Sequence, residues 1–194
     1  MSKFVRFVVA AAMAVGLAAC GGKAQFDIQG AVDGLKYPGL VLASNGQTVS
    51  VPANTTSFKF GSSIDYGTTY AVTVQTQPAH QNCSVANPTD TAGRMASINV
   101  VVICTMNAYA IGGTISGLDV DGLVLINGSN ATIAPAKGTT TYTFPFAVEF
   151  GNTYGVTVLT HPPGYRCTVS NGTGTMNEAA VTNINVACNP SLGG

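Results

Sequence analysis

The chain has 194 residues, eight of them basic and eight acidic, for a formal net charge of zero. Only 8% of the residues are charged and no basic stripe is present, which argues against a nucleic-acid partner. A hydrophobic content of 46% excludes a disordered chain, and the many Gly, Thr, Asn, Ser and Val residues suit strands joined by tight turns.

The first element in chain order is a signal sequence. Lys3 and Arg6 make a short basic region, and residues 7–19 follow without a charge. A spanning helix needs about 20 apolar residues, so this shorter run reads as a signal-peptide core. It ends in Leu17-Ala18-Ala19-Cys20. These four residues resemble the lipobox of bacterial lipoproteins at every position. The resemblance implies cleavage before Cys20, a diacylglycerol on its thiol and an acyl group on its new amine. Two or more acyl chains hold a protein firmly in a bilayer, at about 0.8 kcal/mol per buried CH₂. In lipoproteins of this kind an Asp after the cysteine marks inner-membrane retention. Gly21 stands there, so the resemblance favours the outer membrane, with the side it faces left open.

Cleavage removes Lys3 and Arg6 and leaves six basic against eight acidic residues. Gly21-Gly22-Lys23 lacks the frame of a phosphate loop and reads as part of a flexible tether over 20–25. The rest is a tandem repeat. Gly30, Gly34, Gly39 and Leu40 to Leu42 recur 83 residues later as Gly113, Gly117, Gly122 and Leu123 to Leu125. Gly67, Tyr70, Val72, Val74, Pro78, Cys83, Val85 and Cys104 recur 84 residues later as Gly151, Tyr154, Val156, Val158, Pro162, Cys167, Val169 and Cys188. One residue was therefore inserted between the two blocks of the second copy. The repeats are expected over 26–105 and 109–190, with a linker at 106–108 and a tail at 191–194.

Each repeat shows short apolar runs bounded by Gly, Asn, Pro or Ser. Leu40 to Leu42 is one candidate strand, and Thr56 to Phe60 another, matched by Thr140 to Phe144. Tyr70, Val72 and Val74 share one face of a third, as do Tyr154, Val156 and Val158. Six or seven strands per copy predict an all-β fold of two immunoglobulin-like sandwiches. The likeness to antibody domains is architectural only, because the chain has no Trp. The pattern Gly-x-x-x-Gly-Leu, then Tyr-x-Val-x-Val, Cys-x-Val and a closing Val-x-Cys more closely resembles tandem repeats of proteobacterial lipoproteins and surface antigens, including those of Burkholderia-like bacteria. That resemblance spans residues 26–189 and implies an extracytoplasmic display domain with no defined shared activity.

Setting Cys20 aside leaves four cysteines, in two pairs of equal spacing. Three connectivities are possible, and the repeat favours Cys83–Cys104 and Cys167–Cys188. If the last two strands of each copy form a hairpin, Val85 faces Val102 and Val169 faces Val186, with turns near Gly93 and Asn177. Zinc is the rival reading, but nearby histidines and Cys-x-x-Cys spacing are lacking.

No residue set predicts catalysis, so an enzyme is not expected. His80 and His161 read as loop residues in Pro-containing connections, and neither recurs. Asp65 and Glu149 align, but belong to different repeats, and paired carboxylates work only on one cleft. Asp119 and Asp121 could suggest calcium, yet their counterparts in Lys36-Tyr37-Pro38 carry no carboxylate. Asn-x-Ser/Thr triplets such as Asn54-Thr55-Thr56 and Asn130-Ala131-Thr132 are common by chance in such a sequence. The expected function is therefore a non-enzymatic, membrane-anchored lipoprotein that displays its repeats for envelope or surface interaction and is antigenic, with no cofactor beyond the lipid on Cys20 and an unnamed protein or glycan partner. A carbohydrate-binding module using Tyr37, Tyr66, Tyr109 or Tyr165 is one alternative. A periplasmic assembly subunit using a sheet edge is another.

Overall fold

Alternation of apolar and polar residues over short runs dictates strands, and strands are the regular elements of both repeats. A computed structural model describes residues 23–129 and 131–191. The expected signal peptide, Cys20 and the end of the 191–194 tail lie outside the described residues.

The first repeat contains β1 (Gln25–Phe26), β2 (Gln29–Asp33), β3 (Leu40–Ser44), β4 (Gln47–Val51), β5 (Ser57–Lys59), β6 (Ile64–Asp65), β7 (Thr69–Ala71), β8 (Thr73–Thr76), β9 (Gln81–Ala86), β10 (Thr89–Thr91) and β11 (Val100–Met106). One layer has the order β5-β2-β11-β9; the other is β4-β3-β8, extended across Val72 into β7, which carries β10. Val32, Val100 and Val102 from the first layer pack with Leu40, Leu42 and Val72 from the second in one core. The second repeat contains β12 (Ala108–Tyr109), β13 (Gly112–Ser116), β14 (Val124–Asn127), β15 (Ala131–Ile133), β16 (Thr141–Thr143), β17 (Val148–Glu149), β18 (Thr153–Thr160), β19 (Tyr165–Ser170), β20 (Thr173–Thr175) and β21 (Asn185–Pro190). Its layers, β16-β13-β21-β19 and β15-β14-β18-β20, repeat the same order around a separate core. The short pairs β1–β6 and β12–β17 are equivalent as well.

The inserted residue is visible. In the first repeat Ser44 pairs with Gln47 across the two-residue turn Asn45-Gly46, both with positive φ. That is the geometry an Asn-Gly hairpin favours. In the second repeat Asn127 pairs with Ala131, so three residues separate the paired positions where the first repeat has two.

The first long strand of each repeat runs parallel to the last. Val100 to Ile103 lie beside Gly30 to Asp33, and Ile115 and Ser116 beside Val186 and Ala187. These strands approach closely, which explains the recurrent glycines. A Cβ on Gly30 would strike the Val100 carbonyl oxygen, and one on Gly113 the Ile184 carbonyl oxygen. Gly34 and Gly117 face the carbonyls of Cys104 and Cys188 in the same way, with φ of +74° and +69°.

Parallel pairing has a topological consequence. Because β11 points the same way as β2, the chain leaves the repeat at the end opposite its entry. Only Asn107 separates β11 from β12, so the expected 106–108 linker contracts to one residue. The strand order also differs from that of an antibody constant domain, where the first two strands share a sheet. Here β2 and β3 lie in opposite layers.

The cysteine-bearing strands pair in the expected register, with Cys83 opposite Cys104, Val85 opposite Val102, Cys167 opposite Cys188 and Val169 opposite Val186. They are not simple hairpins. Between β9 and β11 the chain crosses to the other layer, where Thr89, Asp90 and Thr91 pair with β7 before the bend at Gly93; β20 does the same on β18.

Candidate functional site

The cysteine pairs are disulfides, Cys83–Cys104 and Cys167–Cys188, each bridging directly opposed residues of neighbouring strands. All four are buried. Their sulfurs are consumed, which removes the zinc reading. Each bridge ties an edge strand, β9 or β19, to the central last strand.

Edge strands expose unpaired peptide groups, and this one is partly capped by side chains. The Gln77 carboxamide accepts the Cys83 N–H at 2.7 Å and donates to the Cys83 carbonyl at 3.0 Å. It acts as a one-residue substitute for a neighbouring strand. At the equivalent position of the second repeat, His161 Nδ1 accepts the Cys167 N–H at 3.1 Å. The bond requires a lone pair on Nδ1. His161 is thus more than a loop residue: it performs half of Gln77's task.

Gln81 is a buried polar residue that pattern reading passed over. It is 2% exposed, and its side-chain oxygen accepts the Lys36 and Tyr37 N–H groups while its amide donates to the Gly34 carbonyl. It fixes the β2–β3 loop. Its inward place on β9, two residues before Cys83, was visible in the alternation.

His80 proves to be a joint residue, not a plain loop position. Its ring stacks on Phe150 of the second repeat at 3.8 Å between centroids and 2° between planes. Tyr37 meets both rings edge-on. His80 Nδ1 lies 2.6 Å from a Glu178 carboxylate oxygen. Its backbone carbonyl accepts the Asn107 N–H, and the Asn107 carbonyl accepts the Phe150 N–H. The single linker residue is held by both repeats. Sequence comparison missed this because His80 aligns with Gly164 and Tyr37 with Val120, so the cluster exists at one junction only.

The carboxylates do not converge. Asp65 accepts a bond from Gln25 beside the β1–β6 pair, while Glu149 lies in β17 of the other repeat. Asp121 accepts the Lys137 N–H at 2.7 Å and ties two loops together; Asp119 is exposed. No cluster of three metal-binding side chains occurs among the described residues. Asp27 is held below the usual carboxylate range by bonds from Lys59 and Ser63, and Asp90 by the Thr91 N–H and Arg94. Burial pushes the Tyr142 phenol up to about 12, and its hydroxyl donates to the Ile184 carbonyl. A hollow of about 230 Å³ over Gly112 and Gly113 is lined by Thr141, Thr143 and Val181, without a charged side chain.

Of the candidate tyrosines, Tyr37 is engaged in the joint, Tyr109 and Tyr165 are half-buried against the second core, and Tyr66 stands 63% exposed. Tyr70 is buried, as its strand face predicts, and Tyr154 packs partly on its core. No known protein family matches the chain, and no curated protein does either.

Proposed function

We propose that this chain is a bacterial envelope lipoprotein, anchored through acylated Cys20, whose two immunoglobulin-like repeats form a short antigenic display rod outside the cytoplasm. The observation that carries the rod is the through-running topology. Parallel first and last strands send the chain from one end of each repeat to the other, and the Asn107 joint fixes the next repeat end-on. The anchor rests on Leu17-Ala18-Ala19-Cys20 after an uncharged run. Disulfides on both edges suit an oxidising compartment.

The residues of the joint, the staples and the caps all serve stiffness, and the charged groups are scattered, so the reading is one of presentation, not catalysis. Proteinase treatment of intact cells tests it. Cleavage of the chain without opening the outer membrane is the expected result for surface display. Protection until that membrane is breached would place the rod in the periplasm and remove the surface reading. Strand addition at the β9 edge has less support, because Gln77 already occupies the peptide groups of Cys83.

A further inference from the structure

Tyr66 and Phe150 are equivalent residues in opposite situations. Each donates its N–H, at 2.8 Å, to the carbonyl of the residue through which the chain enters its repeat, Ala24 or Asn107. Phe150 is covered by His80 and Tyr37 of the preceding repeat. Tyr66 has no repeat before it in the described residues and is 63% exposed, resting on Gly93 and 6.4 Å from Phe26. Met95, two residues beyond Gly93, is 70% exposed. The entry end of the first repeat is therefore the bare counterpart of an established interface.

We propose that this end, through Tyr66 and Met95, rests on the lipid headgroup layer into which Cys20 is anchored. The proposal depends on the anchor reading above. Three residue steps separate Cys20 from Lys23, a span of at most about 11 Å even when fully extended. Ala24 is already bonded to Tyr66, so the anchor cannot hold the chain without bringing this end to the bilayer surface. Tyr is at home at headgroup depth, where its ring is in apolar surroundings and its hydroxyl is wet. Lys23 precedes the Ala24 that bonds Tyr66, Asp65 precedes Tyr66, and Arg94 pairs with Asp90, so the charges next to these residues are balanced and the contact is interfacial, not a basic docking patch.

A second copy fits poorly. The far end of its second repeat would offer Val120 and Gly164 in place of Tyr37 and His80, and the Glu178 that receives His80 is replaced here by Arg94.

The test uses mature protein extracted from membranes and reconstituted in vesicles of phosphatidylethanolamine and phosphatidylglycerol. Flotation and intact mass first report the anchor. Dilute peroxide then reports the face, by the rate at which each methionine becomes sulfoxide. Met95 should oxidise several-fold more slowly on vesicles than in the acyl-free C20S chain, made without residues 1–19, in solution. Met106 at the far end should be unchanged, and Met176, fully buried, should stay protected in both. Tyr66→Ser should restore Met95 oxidation on vesicles without exposing Met176. An acylated, floating chain whose Met95 oxidises at the free rate overturns the docking alone. An unacylated chain that does not float overturns anchor and docking together. Concentration-dependent protection of Met95 in C20S without vesicles would assign the face to a second copy instead.

Discussion

The ring of His80 lies flat on the ring of Phe150, and these two residues belong to different repeats. An aromatic stack of this kind contributes about 0.5–1.5 kcal/mol beyond its buried area. Phe150→Ala should therefore loosen the joint while leaving both cores intact. Small-angle scattering should show a broader distance distribution for the variant at unchanged circular dichroism. An identical scattering curve would mean that Asn107 alone fixes the angle.

His161 and Gln77 should be exchangeable at the second repeat. His161→Gln places a carboxamide that can bond both the N–H and the carbonyl of Cys167, as Gln77 does at Cys83. It should be neutral or slightly stabilising. His161→Ala leaves the N–H to water and should cost about 1 kcal/mol by denaturant unfolding. Equal stability of H161A and H161Q would remove the capping role.

Gly113→Ala should damage the second repeat selectively. Its Cβ would collide with the Ile184 carbonyl, and backbone on both sides would have to move. A loss of about 3 kcal/mol is expected, at the upper end of the range of overpacked sites. The first core shares no residues with the second, so its transition should stay in place in calorimetry.

Tyr142 makes the second repeat sensitive to alkali. Its phenol is raised to about 12, above the ordinary value of 10, because burial disfavours the anion. A raised folded value gives stability that is intact below the unfolded pKa and lost as pH climbs through the folded one. Stability should thus fall between about pH 10 and 12, by about 1–2 kcal/mol. Tyr142→Phe, which reproduces Phe58 of the first repeat, should flatten this part of the profile at a neutral-pH cost of about 1 kcal/mol for the lost bond to Ile184. An unchanged alkaline slope in the variant would contradict the assignment.

Much of this architecture is written locally. Alternation at Tyr70, Val72 and Val74 gives a strand and its buried face, and equal cysteine spacing gives both bridges with their flanking valine pairs. The Asn45-Gly46 pair carries a local hairpin signal, and the one-residue insertion falls in its counterpart. What was not legible is non-local. The crossing of Thr89 to Thr91 into the second layer follows from where β7 leaves an edge open, not from the residues themselves. The recurrent Gly30 and Gly34 announce a close approach, but only the parallel pairing with β11 says to what. The joint is hidden for a different reason. Repeat comparison selects what recurs, and His80, Tyr37 and Glu178 matter because they do not.

The anchored, stapled rod is tested most directly by the intact mass of the mature protein extracted from membranes, measured before and after reduction. The expected chain begins at Cys20, carries a diacylglycerol and an amide-linked acyl group, and gains the mass of four hydrogens when its two bridges open. A chain that begins elsewhere without acyl groups, or one whose mass does not change on reduction, would contradict it.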